Sequence, residues 1–346
     1  MNQLIYGSIL ILISIILIIY ITGKKEISEA ERTFFVLGTL VNLNAYGENG
    51  EKAIEEAVNR LNRLDDMFSA FKIESDIGKI NINSGDNPQK VNRETLELLK
   101  KSKKYSFLCE GAFDPTIRPL VQLWGIGKNK DYIPDDSKIK EKIRLVNYED
   151  IEINEEQSTV KLKRKDQAVD LGGIAKGYAA DEIRDIFAKN KIKSGLIDLG
   201  GNIFVIGKKI DKSSWKVGVQ DPFKDRGQYV GILNAADKSI VTSGYYEKFF
   251  EKDGERYHHI INPITGYPSE SEIISATIVS DNSIDGDGLS TGIYILGIEK
   301  GFNIIDNIKG IDAILITENK KVYITPGIKD KFMLTNEDYK VIIKEI

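Results

Sequence analysis

Eighteen consecutive residues without a charge, Leu4 to Ile21, set the first constraint on this chain. They are mostly Ile and Leu. At about 1.5 Å per residue a helix of that length spans about 27 Å, close to the ~30 Å hydrocarbon core of a bilayer. A helix with no polar face does not suit the surface of a water-soluble core. Residues 1–23 are therefore expected to form a membrane anchor, joined by a polar linker at 24–32 to a folded body. A cleaved signal segment is the alternative, although the apolar run is long and no clear A-x-A site follows it. No cysteine lies near its end, so lipid modification of a cysteine there is chemically impossible. Lys24 and Lys25 follow the run and only the amino terminus precedes it, so the positive-inside rule leans toward a cytoplasmic body.

The body reads as one unit. Of 346 residues, 41% are hydrophobic and 29% charged, which suits a packed core and excludes a disordered chain. Forty-eight basic residues against 52 acidic ones leave a net charge of −4, so no basic excess marks a nucleic-acid binder. The one cysteine, Cys109, excludes an intrachain disulfide and any Cys-type zinc or iron–sulfur centre. With two histidines, His258 and His259, a His-rich metal site is excluded, and any imidazole chemistry falls to one of these.

Apolar spacing of three and four predicts helices over 51–69 and 94–108, and the chain breaks after 169–173 into a helix over about 174–189. Strands are expected at 33–44, 192–204, 215–220, 229–233 and 273–280, with a short helix at 288–297. A hairpin is expected around Glu318-Asn319-Lys320, and hairpins and surface over 125–168. No linker breaks the pattern after residue 33. The fold class is α+β, a single domain over 33–330 with a C-terminal extension at 331–346.

Five segments could carry chemistry. Val169-Asp170-Leu171-Gly172-Gly173-Ile174-Ala175-Lys176-Gly177 reads as strand, acid, glycine pair and helix start. Free N–H groups there favour an anion, with Lys176 one turn in. A plain tight turn with Asp170 as helix cap is the alternative. No Gly-Lys pair is followed by Ser or Thr and no G-x-G-x-x-G is present, which removes the nucleotide-loop readings. Ile197-Asp198-Leu199-Gly200-Gly201-Asn202 echoes the first segment within a strand, as a glycine kink or turn. Asp287 and Thr291 stand four apart, one helical turn, and pair a carboxylate with a hydroxyl, a hard-oxygen set that suits Mg²⁺. A capped helix start would use the same residues. His258-His259 leads into the Asn262-Pro263-Ile264-Thr265-Gly266 turn and offers a general base or a structural imidazole. Gly111-Ala112-Phe113-Asp114-Pro115-Thr116 is a loop whose Phe113 is a core residue or a ring platform.

In order and spacing these segments resemble the ApbE family, the FAD:protein FMN transferases, over about residues 33–330. The resemblance implies a single ApbE-like, T-fold-like α+β domain that moves FMN from FAD onto a threonine or serine hydroxyl of a target protein, with Mg²⁺, and releases AMP. It implies His259 as the catalytic base. It implies Asp287, Thr291, the Gly173 carbonyl and Ser290 around the metal. Flavin-nucleotide contacts are implied at Leu37, Phe71, Ala112, Phe113, Asp114, Asp170, Lys176 and Ile261. Expected partners are FAD, the membrane, and acceptor flavoprotein subunits of membrane or extracytoplasmic redox systems. The family's habit places the body outside the cell membrane, against the lean of the two lysines. A Mg²⁺-dependent FAD pyrophosphatase and a non-catalytic flavin-binding protein are the alternatives. Asn262 stands where the family often has Asp, Gly288 where Ala is common, and Leu37 where Met is common; none of these removes a proposed ligand or the base.

Overall fold

The computed structural model describes residues 28–127 and 132–344. The expected anchor and the first part of the linker lie outside them. Among the described residues no helix is long and apolar enough to cross a membrane.

The chain builds a nine-stranded sheet whose strands lie side by side in chain order. They are β1 (Glu29–Val36), β2 (Thr39–Tyr46), β3 (Ser194–Leu199), β4 (Asn202–Gly207) and β5 (Lys238–Gly244). They continue with β6 (Ile273–Ser280), β7 (Asp312–Thr317), β8 (Lys321–Ile324) and β9 (Lys340–Ile343). Neighbours are antiparallel except β8 and β9, which are parallel. Helices α1 (Gly50–Phe68), α3 (Ala175–Lys189) and α4 (Ser283–Asp306) cover one face, and α2 (Arg93–Leu108) packs behind α4. Ile54, Ala57, Leu61 and Leu64 of α1 are fully buried, as are Ala179, Ile183 and Phe187 of α3, in the same core as Leu43, Ile197, Ala276 and Leu315 from the strands. Each of the buried Leu, Ile and Phe side chains contributes about 1.5–3 kcal/mol.

The other face is covered by a three-stranded sheet of Trp215–Gln220, Tyr229–Ala235 and Phe332–Leu334. Its Val217, Val230 and Leu233 meet Val205, Ile240, Ile314 and Ile316. With both faces covered, β6 is buried at every position, and β7 alternates Ala313 and Leu315 toward one core with Ile314 and Ile316 toward the other.

The expected strand over 33–44 is two strands, joined at Leu37-Gly38. The expected strand over 192–204 is likewise the β3–β4 hairpin, joined at Gly200-Gly201. All four linking residues have positive φ (53°, 71°, 65° and 92°), the geometry a two-residue hairpin turn requires. Glycine supplies that geometry cheaply, whereas Leu37 at positive φ gives no sequence signal. The two turns touch: a methyl group on Gly200 would lie 1.9 Å from Thr39 Oγ1. β1 begins at Glu29, so residues 29–32 of the expected linker belong to the sheet. Residues 331–344 supply a strand to each sheet and so belong to the fold. The stretch 125–168 contains a helix, Asp136–Ile143, besides the expected hairpin of Ile151–Asn154 and Thr159–Leu162.

Candidate active site

Two helices begin at the same place and cap each other. The first N–H groups of α4, on Ser283 and Ile284, donate to the Asp181 carboxylate of α3 at 2.8 and 3.0 Å. In return the Gly177 N–H in the first turn of α3 donates to Asp287 Oδ2 of α4 at 2.8 Å. Burial pushes the Asp181 carboxyl above its ordinary range, against these bonds. Gly177 makes the approach possible, because a methyl group there would lie 2.6 Å from the Ser283 carbonyl oxygen and 2.7 Å from Asp287 Cβ. Asp181 explains why α4 starts at Ser283, five residues before the expected helix. A non-helical Gly297 (φ 84°, ψ −177°) breaks the helix where the expected one ends.

Around this junction stand oxygen atoms from three elements. Asp287 is buried, and its Oδ1 lies 3.6 Å from Lys176 Nζ, which also donates to the Gly172 carbonyl at 2.8 Å. Ser243 Oγ of β5 is 2.9 Å from Ser290 Oγ and 3.1 Å from Thr291 Oγ1. Ser290 Oγ is 3.4 Å from the Asp287 carbonyl oxygen. Gly173 sits against Thr291, and a methyl group there would lie 3.9 Å from Thr291 Oγ1 and 3.1 Å from the Phe113 ring. The structure thus brings together Gly173, Asp287, Ser290 and Thr291, with Lys176 beside them. Among the described residues no group of three His, Cys, Asp or Glu side chains converges. The set fits Mg²⁺, which takes one or two carboxylates, neutral oxygens and substrate phosphate, and does not fit zinc.

The two histidines differ in their surroundings. His258 is buried; its Nε2 donates to the Ser269 carbonyl at 3.0 Å and its Nδ1 accepts from the Ile260 N–H at 3.3 Å, so both nitrogens are engaged. His259 is half-buried, and its Nδ1 donates to the Lys248 carbonyl at 3.3 Å. That bond fixes the tautomer and leaves Nε2 with the lone pair. Burial, then the charges of His258, Lys248 and Lys176, lower His259 to about 4, so the ring is neutral at pH 7.

Asp170 is not the helix cap. Its Oδ1 accepts the Gly172 N–H at 2.9 Å and closes the glycine turn, and its Oδ2 accepts from Arg118 Nη1 at 2.9 Å. Buried Arg118 also donates to the Ala70 carbonyl at 2.6 Å and lies 4.6 Å from the centre of the exposed Phe71 ring. Phe71 and Arg118 line a cleft of about 580 Å³ with Asn81, Gln122 and Gln167. Asp114 is held inside its loop: Oδ1 accepts from the Thr116 N–H and hydroxyl, and Oδ2 from the Tyr148 N–H. Burial raises it to about 6 against those bonds. Ala112 and Phe113 are buried in the main core, and Ile261 in a smaller cluster with Leu120, Trp124 and Ile139. Leu37 lies in the β1–β2 turn, next to the Gly200-Gly201 turn and at the same sheet end as Ser243. Ser243, Arg118 and Asp181 escaped the sequence reading, since a single serine, arginine or aspartate in a regular element carries no spacing signal.

The sequence profile of the ApbE family matches residues 37–315. The chain is 34% identical to the FAD:protein FMN transferase of Klebsiella pneumoniae, covering 89% of this chain and 95% of that one. It is 33% identical to the Treponema pallidum protein of the same name, over 89% and 90%. Among solved structures it is similar to the ApbE protein of Thermotoga maritima, with a TM-score of 0.80 and 29% identity over 88% of this chain and 99% of that one. The flavin transferase ApbE of Vibrio cholerae follows at 0.79 and 27%, with the same coverage.

Proposed function

Because the chain belongs to the ApbE family, we propose that this FAD:protein FMN transferase uses Mg²⁺ to move FMN from FAD onto a threonine or serine hydroxyl of a target protein, releasing AMP. The observation that carries the reading is His259, whose ring is neutral and whose Nε2 keeps its lone pair. Nε2 takes the proton of the acceptor hydroxyl as its oxygen attacks the phosphorus that bears the riboflavin. The bond from that phosphorus to the oxygen bridging toward AMP breaks, and AMP leaves with the electron pair. Lys176, whose ammonium stands 3.6 Å from Asp287 Oδ1, turns it onto the pyrophosphate as a counter-charge. Asp287, Thr291 and the Gly173 carbonyl would hold Mg²⁺, with Ser290 beside them. When bound, the ion supplies charge to offset what develops on the phosphates. Phe71, carried on Arg118, offers a ring face for stacking, and Arg118 sets Asp170 at the turn.

The acceptors are proposed to be flavoprotein subunits of membrane or extracytoplasmic redox systems. The body is proposed to lie outside the cell membrane, anchored by the apolar run at Leu4–Ile21. The test is to incubate the full-length protein with FAD, Mg²⁺ and a threonine-bearing acceptor subunit, then weigh the denatured acceptor. One added FMN per acceptor, matched by AMP and lost with EDTA, is expected. Free FMN and AMP with an unlabelled acceptor would replace the transferase with a pyrophosphatase.

A further inference from the structure

Resting on the Mg²⁺ reading above, we propose that Ser243 is a positioning residue that prepares the Thr291 hydroxyl to bind the metal. A hydroxyl has one proton and two lone pairs. To give a lone pair to a cation, Thr291 must send its proton away from the ion. Ser243 Oγ, 3.1 Å away on β5, is placed to accept it. Ser243 must then donate its own proton elsewhere, and Ser290 Oγ stands 2.9 Å off. Ser290 in turn points its proton at the Asp287 carbonyl oxygen, 3.4 Å away.

The three hydroxyls thus form a one-way chain, from Thr291 through Ser243 and Ser290 to the backbone of the residue that supplies the carboxylate ligand. Run in the opposite sense, the chain would aim a proton at Thr291 and point the Thr291 O–H toward the ion. The backbone carbonyl at the far end has no proton to give, so it fixes the direction. The chain also separates two neighbouring hydroxyls: Thr291 is the ligand, and Ser290 relays the proton. β5 delivers Ser243 because its sheet register sets Ser243 opposite Ala276, one residue from the strand end, beside the first turns of α4. A group that orients a metal ligand changes affinity about 10–100-fold when removed.

The test is direct titration of Mn²⁺, as a Mg²⁺ probe, into the FAD-loaded full-length protein, followed by electron paramagnetic resonance. Ser243→Ala is expected to weaken Mn²⁺ binding at least tenfold, while FAD affinity without metal and the metal-free melting temperature stay near wild type. Ser243→Thr keeps the hydroxyl and should restore Mn²⁺ affinity to within a few-fold. Ser290→Ala should weaken it less than Thr291→Val does. A folded Ser243→Ala protein that binds Mn²⁺ as wild type does would overturn the proposal, as would failure of Ser243→Thr to restore binding. Wild-type protein that binds no Mn²⁺ would instead overturn the metal reading beneath it.

Discussion

Gly177→Ala probes the joint between α3 and α4. The added methyl would lie 2.6 Å from the Ser283 carbonyl oxygen, 2.7 Å from Asp287 Cβ and 2.8 Å from Ile284 Cα. Two of these are backbone atoms, so no side-chain rotation relieves the clash. Bringing the closest pair to an ordinary contact of about 3.4 Å requires the helices to part by about 0.8 Å. Overpacking of this kind costs about 1–3 kcal/mol, or a fall in Tm of about 2–5 °C in a domain of this size. The same shift stretches the Gly177 N–H to Asp287 bond from 2.8 Å and moves the Asp287 carboxylate. A displacement approaching 1 Å lowers a reaction that depends on positioning by about 100-fold. The assay is FMN transfer to an acceptor, with FAD and metal saturating, beside thermal unfolding. Wild-type melting and wild-type transfer together would refute the claim that this contact sets the site.

The legible part of the sequence was its helices. The three- and four-residue spacing placed α1 and α2 to within a residue of their ends, because each buries one continuous stripe, and the glycine pair placed the start of α3. The hairpin around Glu318-Asn319-Lys320 was equally plain, with alternating strands on either side. Chain reversal at Leu37-Gly38 was hidden, because apolar residues run through it and only the backbone angles mark the turn. β9 was hidden because it is a short strand in the expected C-terminal extension, paired in parallel with β8 rather than by a hairpin turn. At the site, the motifs located Gly173, Lys176, Asp287 and Thr291, but not how Asp181 and Asp287 tie the helices together across about a hundred residues. His258 and His259 are adjacent and alike in sequence. Only the strand's alternation, ending with His258 inward, separates a buried imidazole from a usable one.

His258 is buried and held near pKa 4 against an ordinary 6.5 by burial, so the unfolded chain takes up its proton first as pH falls. Its contribution is complete above about pH 6.5 and is lost toward pH 4, on the order of 3 kcal/mol; His258→Gln should flatten this part of the pH dependence in urea unfolding, and an unchanged slope would count against it. Asp181→Ala removes the acceptor of two helix-start N–H groups and should cost about 1–2 kcal/mol by urea unfolding; a loss below about 0.3 kcal/mol would show that water replaces it. Arg118→Met should raise the KM for FAD more than it lowers kcat, since it takes the guanidinium away from both Asp170 and the Phe71 ring; an unchanged KM would remove this pair from flavin recognition.

The base role proposed for His259 rests on its Nε2, which keeps its lone pair while Nδ1 is held by the Lys248 carbonyl. Its most direct test is His259→Ala, assayed for FAD binding by flavin fluorescence and for transfer by the intact mass of the acceptor. FAD affinity should stay within a few-fold of wild type, with no acceptor carrying FMN on the wild-type timescale. Acceptor labelled by His259→Ala at near the wild-type rate would contradict it and send the search for the base elsewhere in the site.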